Sequence, residues 1–131
     1  MAGSDDRAVL RRARGLGSAK SGVRHWWWQR VTAVALVPLT VWMLVLLLAT
    51  AGEGRRALMV WLGNPAVSVL TVMFVVMMAW HMVLGLTVIA EDYLHHEGVK
   101  FAAITLIQVG GVIVGVAGVI SVLWLALGGT Q

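Results

Sequence analysis

The sequence predicts an all-α membrane protein with three transmembrane helices and a cytoplasmic N-terminus. Three observations predict this. First, residues 31–50, 65–90 and 101–127 form long apolar runs without a single Asp, Glu, Lys or Arg. Each is long enough to cross the roughly 30 Å hydrocarbon core as a helix rising 1.5 Å per residue. Second, hydrophobic residues make up 60% of the 131-residue chain and charged residues only 12%, about half the usual share of a soluble domain. Third, seven of the ten basic residues (Arg7, Arg11, Arg12, Arg14, Lys20, Arg24 and Arg30) precede the first apolar run, which is the positive-inside pattern. The formal charge of +4 is not spread over a soluble face, so nucleic acid is not the expected partner; the lipid membrane is. With no cysteine, the chain holds no disulfide, no iron–sulfur cluster of its own and no c-type haem linkage. Histidine and methionine remain as haem ligands.

In chain order, residues 1–20 read as a basic cytoplasmic arm and residues 21–131 as a three-helix transmembrane domain. About thirty polar and basic residues precede the first apolar run, unlike a cleavable signal, and Asp5 and Asp6 argue against a mitochondrial transit peptide. A bacterial cytoplasmic (inner) membrane is the simplest placement. Trp26, Trp27 and Trp28 suit the headgroup level, where an amphipathic ring is half wet. Val31 to Thr50 is the first span. Pro38 falls in its second turn, where it is expected to kink the helix and free a carbonyl. Ala51 to Asn64 reads as a loop, with Trp61 as an interface anchor. Pro65 to Ala90 is the second span, Glu91 to Lys100 a polar loop, and Phe101 to Leu127 the third span. Gly111 and Gly115 in that last span form a G-x-x-x-G pair, which reads as close packing within the bundle. This layout puts the N-terminus and second loop inside, with eight basic residues, and the first loop and C-terminus outside, with two.

Three groups of residues can carry chemistry. His81 is the only ionisable side chain within the spans, and an imidazole in lipid needs partners for its N–H and its lone pair. The plain reading is a histidine bonded to a neighbouring helix carbonyl; the sharper one is an axial haem ligand. Gly85, four residues on and on the same face, leaves room for a flat macrocycle or a second helix. A six-coordinate haem needs a second strong ligand, which a partner subunit or symmetry mate would supply. Met77 and Met82 are local substitutes, although Met73, Met77, Met78 and Met82 more often pack than ligate. The second group is Glu91-Asp92-Tyr93-Leu94-His95-His96-Glu97. Asp92 stands about 16 Å above His81, about 20° round the same helix. Tyr93 beside it can donate to a quinone carbonyl, while the plain reading is ordinary interface polarity. Arg24, His25 and Arg30 form the third group. Arg30 can pair with a haem propionate or simply snorkel to the surface.

Taken together, two segments resemble the small cytochrome b membrane-anchor subunit of succinate dehydrogenase, respiratory complex II. One is Ser21-Gly22-Val23-x-x-Trp26-x-x-Gln29-Arg30-Val31-Thr32-Ala33. The other links His81, Gly85, Asp92, Tyr93 and His95 along one helix. The resemblance spans residues 21 to about 127. It implies a heterodimeric six-helix membrane domain formed with a second three-helix cytochrome b anchor subunit. It also implies a flavoprotein and an iron–sulfur subunit on the cytoplasmic face, and haem b shared between the anchors. By motif position, His81 is the axial iron ligand, Tyr93 the quinone-site tyrosine, Asp92 its neighbour, and Arg30 the arginine near the propionates. The family often carries a histidine where this chain has Arg24, with His25 one place later, so the propionate contacts of Arg24 and His25 stay open. His96 has no assigned counterpart. The implied role is electron delivery from succinate to ubiquinone. With no dinucleotide fingerprint or cluster ligands, the chain is not a dehydrogenase by itself, and no catalytic residue is assigned. A quinol:fumarate reductase anchor and a non-redox scaffold are the alternatives. A proton-coupled exporter fits less well, because all six acidic residues lie outside the spans.

Overall fold

A computed structural model describes residues 19–128 of the chain, with side chains from residue 22. Residues 1–18 of the expected basic arm, with Arg7, Arg11, Arg12 and Arg14, lie outside the described residues, as do residues 129–131. Four helices follow in order: α1 (Ala19–Thr50), α2 (Gly54–Leu62), α3 (Pro65–Tyr93) and α4 (Glu97–Ala126). There is no strand among the described residues. Helices α1, α3 and α4 are each long and apolar enough to cross a membrane. An all-helical solution is what lipid demands, since each backbone donor and acceptor is then satisfied within its own segment.

The helices outrun the apolar stretches that define the spans. Helix α1 has 32 residues and starts twelve positions before Val31. Arg, Gln and Lys are good helix formers, so the polar approach simply continues the span outward. Pro38 therefore lies past the midpoint of α1 rather than in a second turn, and it is exposed. It still removes the hydrogen bond that the Val34 carbonyl would otherwise accept. In the same way α3 runs on to Tyr93 and α4 begins at Glu97. The expected ten-residue second loop shrinks to Leu94, His95 and His96. Glu97 sits in the first turn of α4, where a carboxylate suits the positive end of the helix dipole.

The expected first loop contains α2. Gly52 (φ 89°) and Gly54 (φ 72°) adopt left-handed backbone, which turns the chain back after α1. Ala57 and Leu62 are the buried residues of α2, and Leu62 joins Leu46, Val67 and Val122 in one buried cluster. That cluster unites one end of all three spans. Asn64 then caps α3 by accepting from the Ala66 N–H at 2.9 Å, with Pro65 at the first helical position, and Ser68 Oγ donates to the Leu62 carbonyl.

Helix α3 is the middle of a row. It packs against α1 on one side and α4 on the other, and α1 and α4 do not approach each other at backbone distance. The faces follow from helical spacing. Val75, Ala79 and Val83 recur every four residues and meet Gly118, Gly115 and Gly111 of α4. A Cβ on Gly118 would stand 2.6 Å from Val75 Cγ1, one on Gly115 would stand 3.3 Å from Ala79 Cβ, and one on Gly111 would collide with Val83 Cγ2. The glycines thus serve close packing within the bundle, as their spacing predicts. His81 lies two residues from both Ala79 and Val83, about 200° round the helix, and so faces α1 instead.

Candidate functional site

The α1–α3 contact carries the polar chemistry of the molecule. His81 is half-buried on α3, and its Nδ1 lies 2.9 Å from Thr32 Oγ1 on α1. Thr32 is 1% exposed, the most deeply buried side chain described. Its Oγ1 also lies 2.8 Å from the Trp28 carbonyl and 3.2 Å from that of Gln29. Next to this pair, the Trp28 ring stacks on Trp80 at 5.2 Å between centroids and 26° between planes. Trp28 therefore belongs to the α1–α3 seam as well as to the tryptophan-rich approach. The His81 ring lines a cavity of about 430 Å³, whose other walls are Ala33, Leu36, Val37, Thr40 and Val41 of α1. Nε2 has no hydrogen-bond partner among the described residues. One ring nitrogen is thus engaged and the other is free to act as a donor atom.

A second cavity, of about 440 Å³, lies further toward the α1 N-terminus. His25, Trp26, Gln29, Arg30, Gly85 and Glu91 line it together with Gly22. His25 Nε2 lies 3.2 Å from the Leu84 carbonyl. The Arg30 guanidinium carbon stands 5.2 Å over the Trp26 ring, a cation–π arrangement that leaves its N–H donors at the cavity rim. Gly85 faces Gln29, whose Nε2 would lie 3.5 Å from an added Cβ. Helix α1 thus stands beside Gly85, which also lines the cavity. Gln29 Oε1 is buried with no partner, and an orphaned acceptor of this kind costs about 1–3 kcal/mol until something donates to it.

Not every expected site residue joins these cavities. Arg24 is exposed and does not line the second cavity, although His25 and Arg30 do. Asp92 and Tyr93 stand exposed on the last turn of α3, Tyr93 at 78%. Their neighbour Glu91 lines the second cavity. His95 and His96 are exposed in the α3–α4 connection. Sequence reasoning assigned no role to Thr32 or Gln29, although both lie within the Gln29-Arg30-Val31-Thr32 segment. The available signal was that Thr32 is a polar group at the start of a lipid-spanning run, in a chain with one imidazole within its spans. A third cavity, about 490 Å³, lies between α3 and α4 around Gly111 and Gly115. Its walls are almost wholly apolar, with Gln108 the one side chain able to hydrogen-bond through more than an indole N–H. No group of three or more His, Asp or Glu that could hold a bare metal ion occurs among the described residues.

The fold and site define a small multi-pass helical membrane protein with one imidazole held at depth between two spans. The model of the succinate dehydrogenase/fumarate reductase transmembrane subunit family matches residues 4–117, and the chain belongs to that family. Curated relatives agree. The chain is 31% identical over 121 residues to the succinate dehydrogenase hydrophobic membrane anchor subunit of Rickettsia conorii, covering 92% of this chain and 96% of that protein. It is 32% identical over 116 residues to the subunit of the same name from Paracoccus denitrificans, covering 88% and 89%. With the succinate dehydrogenase membrane anchor subunit of Reclinomonas americana it shares 32% over 93 residues, 69% of this chain and 78% of that one. No solved structure matches the chain.

Proposed function

We propose that this chain is a membrane-anchor subunit of a succinate:quinone oxidoreductase, sharing haem b with a second three-helix anchor subunit and forming part of the ubiquinone site. The observation that carries the reading is His81. An imidazole is held by one nitrogen within an apolar span while the other is free beside a cavity. This occurs in a chain whose relatives are named as succinate dehydrogenase anchors. The donor set fits a shared haem: His81 would supply one strong ligand, and the partner anchor would supply another. Bound haem would supply a one-electron centre inside the membrane. His25 and Arg30, near the cytoplasmic end of the seam, would hold its propionates, as the fork of an arginine suits a carboxylate. Arg24 would act from the rim.

Tyr93 would donate its O–H to a quinone oxygen, with Asp92 beside it handling protons. Both stand exposed in this chain, which suits a site completed by the iron–sulfur and partner anchor subunits. Succinate itself would be oxidised in the flavoprotein subunit. The N-terminus and residues 94–96 would face the cytoplasm of a bacterium. The family description covers fumarate reductases as well, and the direction of flow would follow the potentials of the quinone and of the partners' clusters.

The test is a dithionite-reduced minus oxidised visible spectrum of the purified complex. Wild type should show a low-spin b-type signal, His81→Ala should lose or shift it, and Tyr93→Phe should keep it while lowering quinone reductase activity. A wild-type complex without haem, or equal loss of both functions in both variants, would overturn the assignment in favour of a scaffold.

A further inference from the structure

The contacts of Thr32 determine where its one hydroxyl proton lies. Oγ1 has three polar neighbours: the Trp28 carbonyl at 2.8 Å, the Gln29 carbonyl at 3.2 Å and His81 Nδ1 at 2.9 Å. A carbonyl can only accept. Two oxygens at 2.8 Å with no proton between them would repel, so the hydroxyl must donate to Trp28. The back-bond to the carbonyl four residues earlier is also what four other described threonine hydroxyls make: Thr50 to Leu46, Thr71 to Val67, Thr87 to Val83 and Thr105 to Phe101. Thr32 alone among these five also meets a side chain on another helix. Having spent its proton, Oγ1 has only lone pairs to offer, and Nδ1 must be the donor. Thr32 itself is 1% exposed, so its hydroxyl is closed to solvent.

We infer that the Thr32 hydroxyl fixes His81 as the Nδ1–H tautomer and thereby presents Nε2 as the donor nitrogen, making Thr32 a positioning residue for the metal-ligating imidazole. This rests on the haem reading above. The chain of bonds runs from the α1 backbone through Oγ1 to the ring. It orients the imidazole plane, and it makes the ring more electron-rich, because a hydrogen bond donated from the far nitrogen raises ligand basicity. A more basic ligand favours ferric over ferrous iron. Trp28 thus has two parts in the arrangement: its carbonyl sets the Thr32 proton and its ring stacks on Trp80, the residue before His81 in the chain.

The test uses the whole purified complex carrying Thr32→Val, which keeps the shape and deletes the hydroxyl, Thr32→Ser, which keeps the hydroxyl, and Thr71→Val as a control. Thr71 is also buried, on α3, but its hydroxyl bonds only within its own helix. The readouts are haem content per complex, the midpoint potential from a redox titration, and the low-spin electron paramagnetic resonance g-values, which report the ligand plane. Thr32→Val is expected to raise the midpoint potential, shift the g-values and weaken haem retention about 10- to 100-fold. Thr32→Ser should restore all three toward wild type, and Thr71→Val should leave them unchanged. If Thr32→Val does not assemble, Thr32→Ala removes the same hydroxyl without bulk and is read in the same way. Wild-type potential and g-values in the hydroxyl-free variant would overturn the positioning role while leaving the haem reading standing. Absence of haem from the wild-type complex would overturn the haem reading itself.

Discussion

At the scale of single residues, the seam between α1 and α3 concentrates groups that lipid would otherwise penalise. Thr32, His81, His25 and Gln29 all point into it, and three of them find partners there. Gln29 Oε1 does not, and it marks where a donor from outside this chain would be welcome. The Trp28–Trp80 stack joins the same two helices through apolar area. A double-mutant cycle with Trp28→Leu and Trp80→Leu, read by thermal unfolding in detergent, should give a coupling of about 0.5–1.5 kcal/mol beyond the area lost. A coupling near zero would mean that the rings lie side by side without holding the seam. His81 was legible from sequence because an ionisable group in a 26-residue apolar span is conspicuous. Its partner was not, because Thr32 sits 49 positions earlier and threonine is common in membrane helices.

At the scale of elements, α3 is amphipathic in a sense that hydrophobicity does not record. One face is shaped for glycine and the other for hydrogen bonds. The distinction predicts unequal effects from similar glycines on α4. Gly110→Ala should be neutral within about 0.5 kcal/mol, since an added Cβ there meets nothing within 4 Å. Gly111→Val and Gly118→Val should each destabilise the bundle by about 1–3 kcal/mol, because overpacking forces α3 and α4 apart. Thermal or SDS-induced unfolding of the three variants side by side would reveal the difference, and equal losses at Gly110 and Gly111 would contradict the described interface. Helix α2 shows the limit of local reading. Gly52, Glu53, Gly54, Arg55 and Arg56 read as loop, and a nine-residue helix is marginal in isolation. It forms because Leu62 reaches the cluster of Leu46, Val67 and Val122.

At the scale of the whole molecule, the row α1–α3–α4 leaves much apolar surface outward. Leu48 and Phe101 are 75% exposed and Leu106 is 74% exposed, as befits a bundle surrounded by lipid or by further helices. The proposed orientation is open to a direct check. Cysteine is absent from the natural chain, so single cysteines introduced at Glu53 and at Gly98 give clean labels. In intact cells a membrane-impermeant maleimide should modify the Glu53→Cys site and spare Gly98→Cys until the membrane is opened. The reverse pattern would invert the topology and remove Tyr93 from the side where the soluble subunits are proposed to dock.

By itself the sequence determined the class of this protein. Uninterrupted apolar length decides that a segment spans, an uneven distribution of Arg and Lys argues for one orientation, and the His81–Gly85–Asp92 spacing marks one helix face, with Tyr93 partly round from it. These are properties of one segment at a time, which a linear chain expresses fully. The tertiary structure decided what faces what. It set α3 in the centre, gave its two sides different neighbours, extended the helices through their polar ends and folded the first loop into α2. It also joined Thr32 to His81, and divided the expected arginine–histidine group by drawing His25 and Arg30 to a cavity and leaving Arg24 outside. The physical reason is the same throughout. Contacts between residues far apart in the chain depend on which helix faces pack, and no local pattern carries that information.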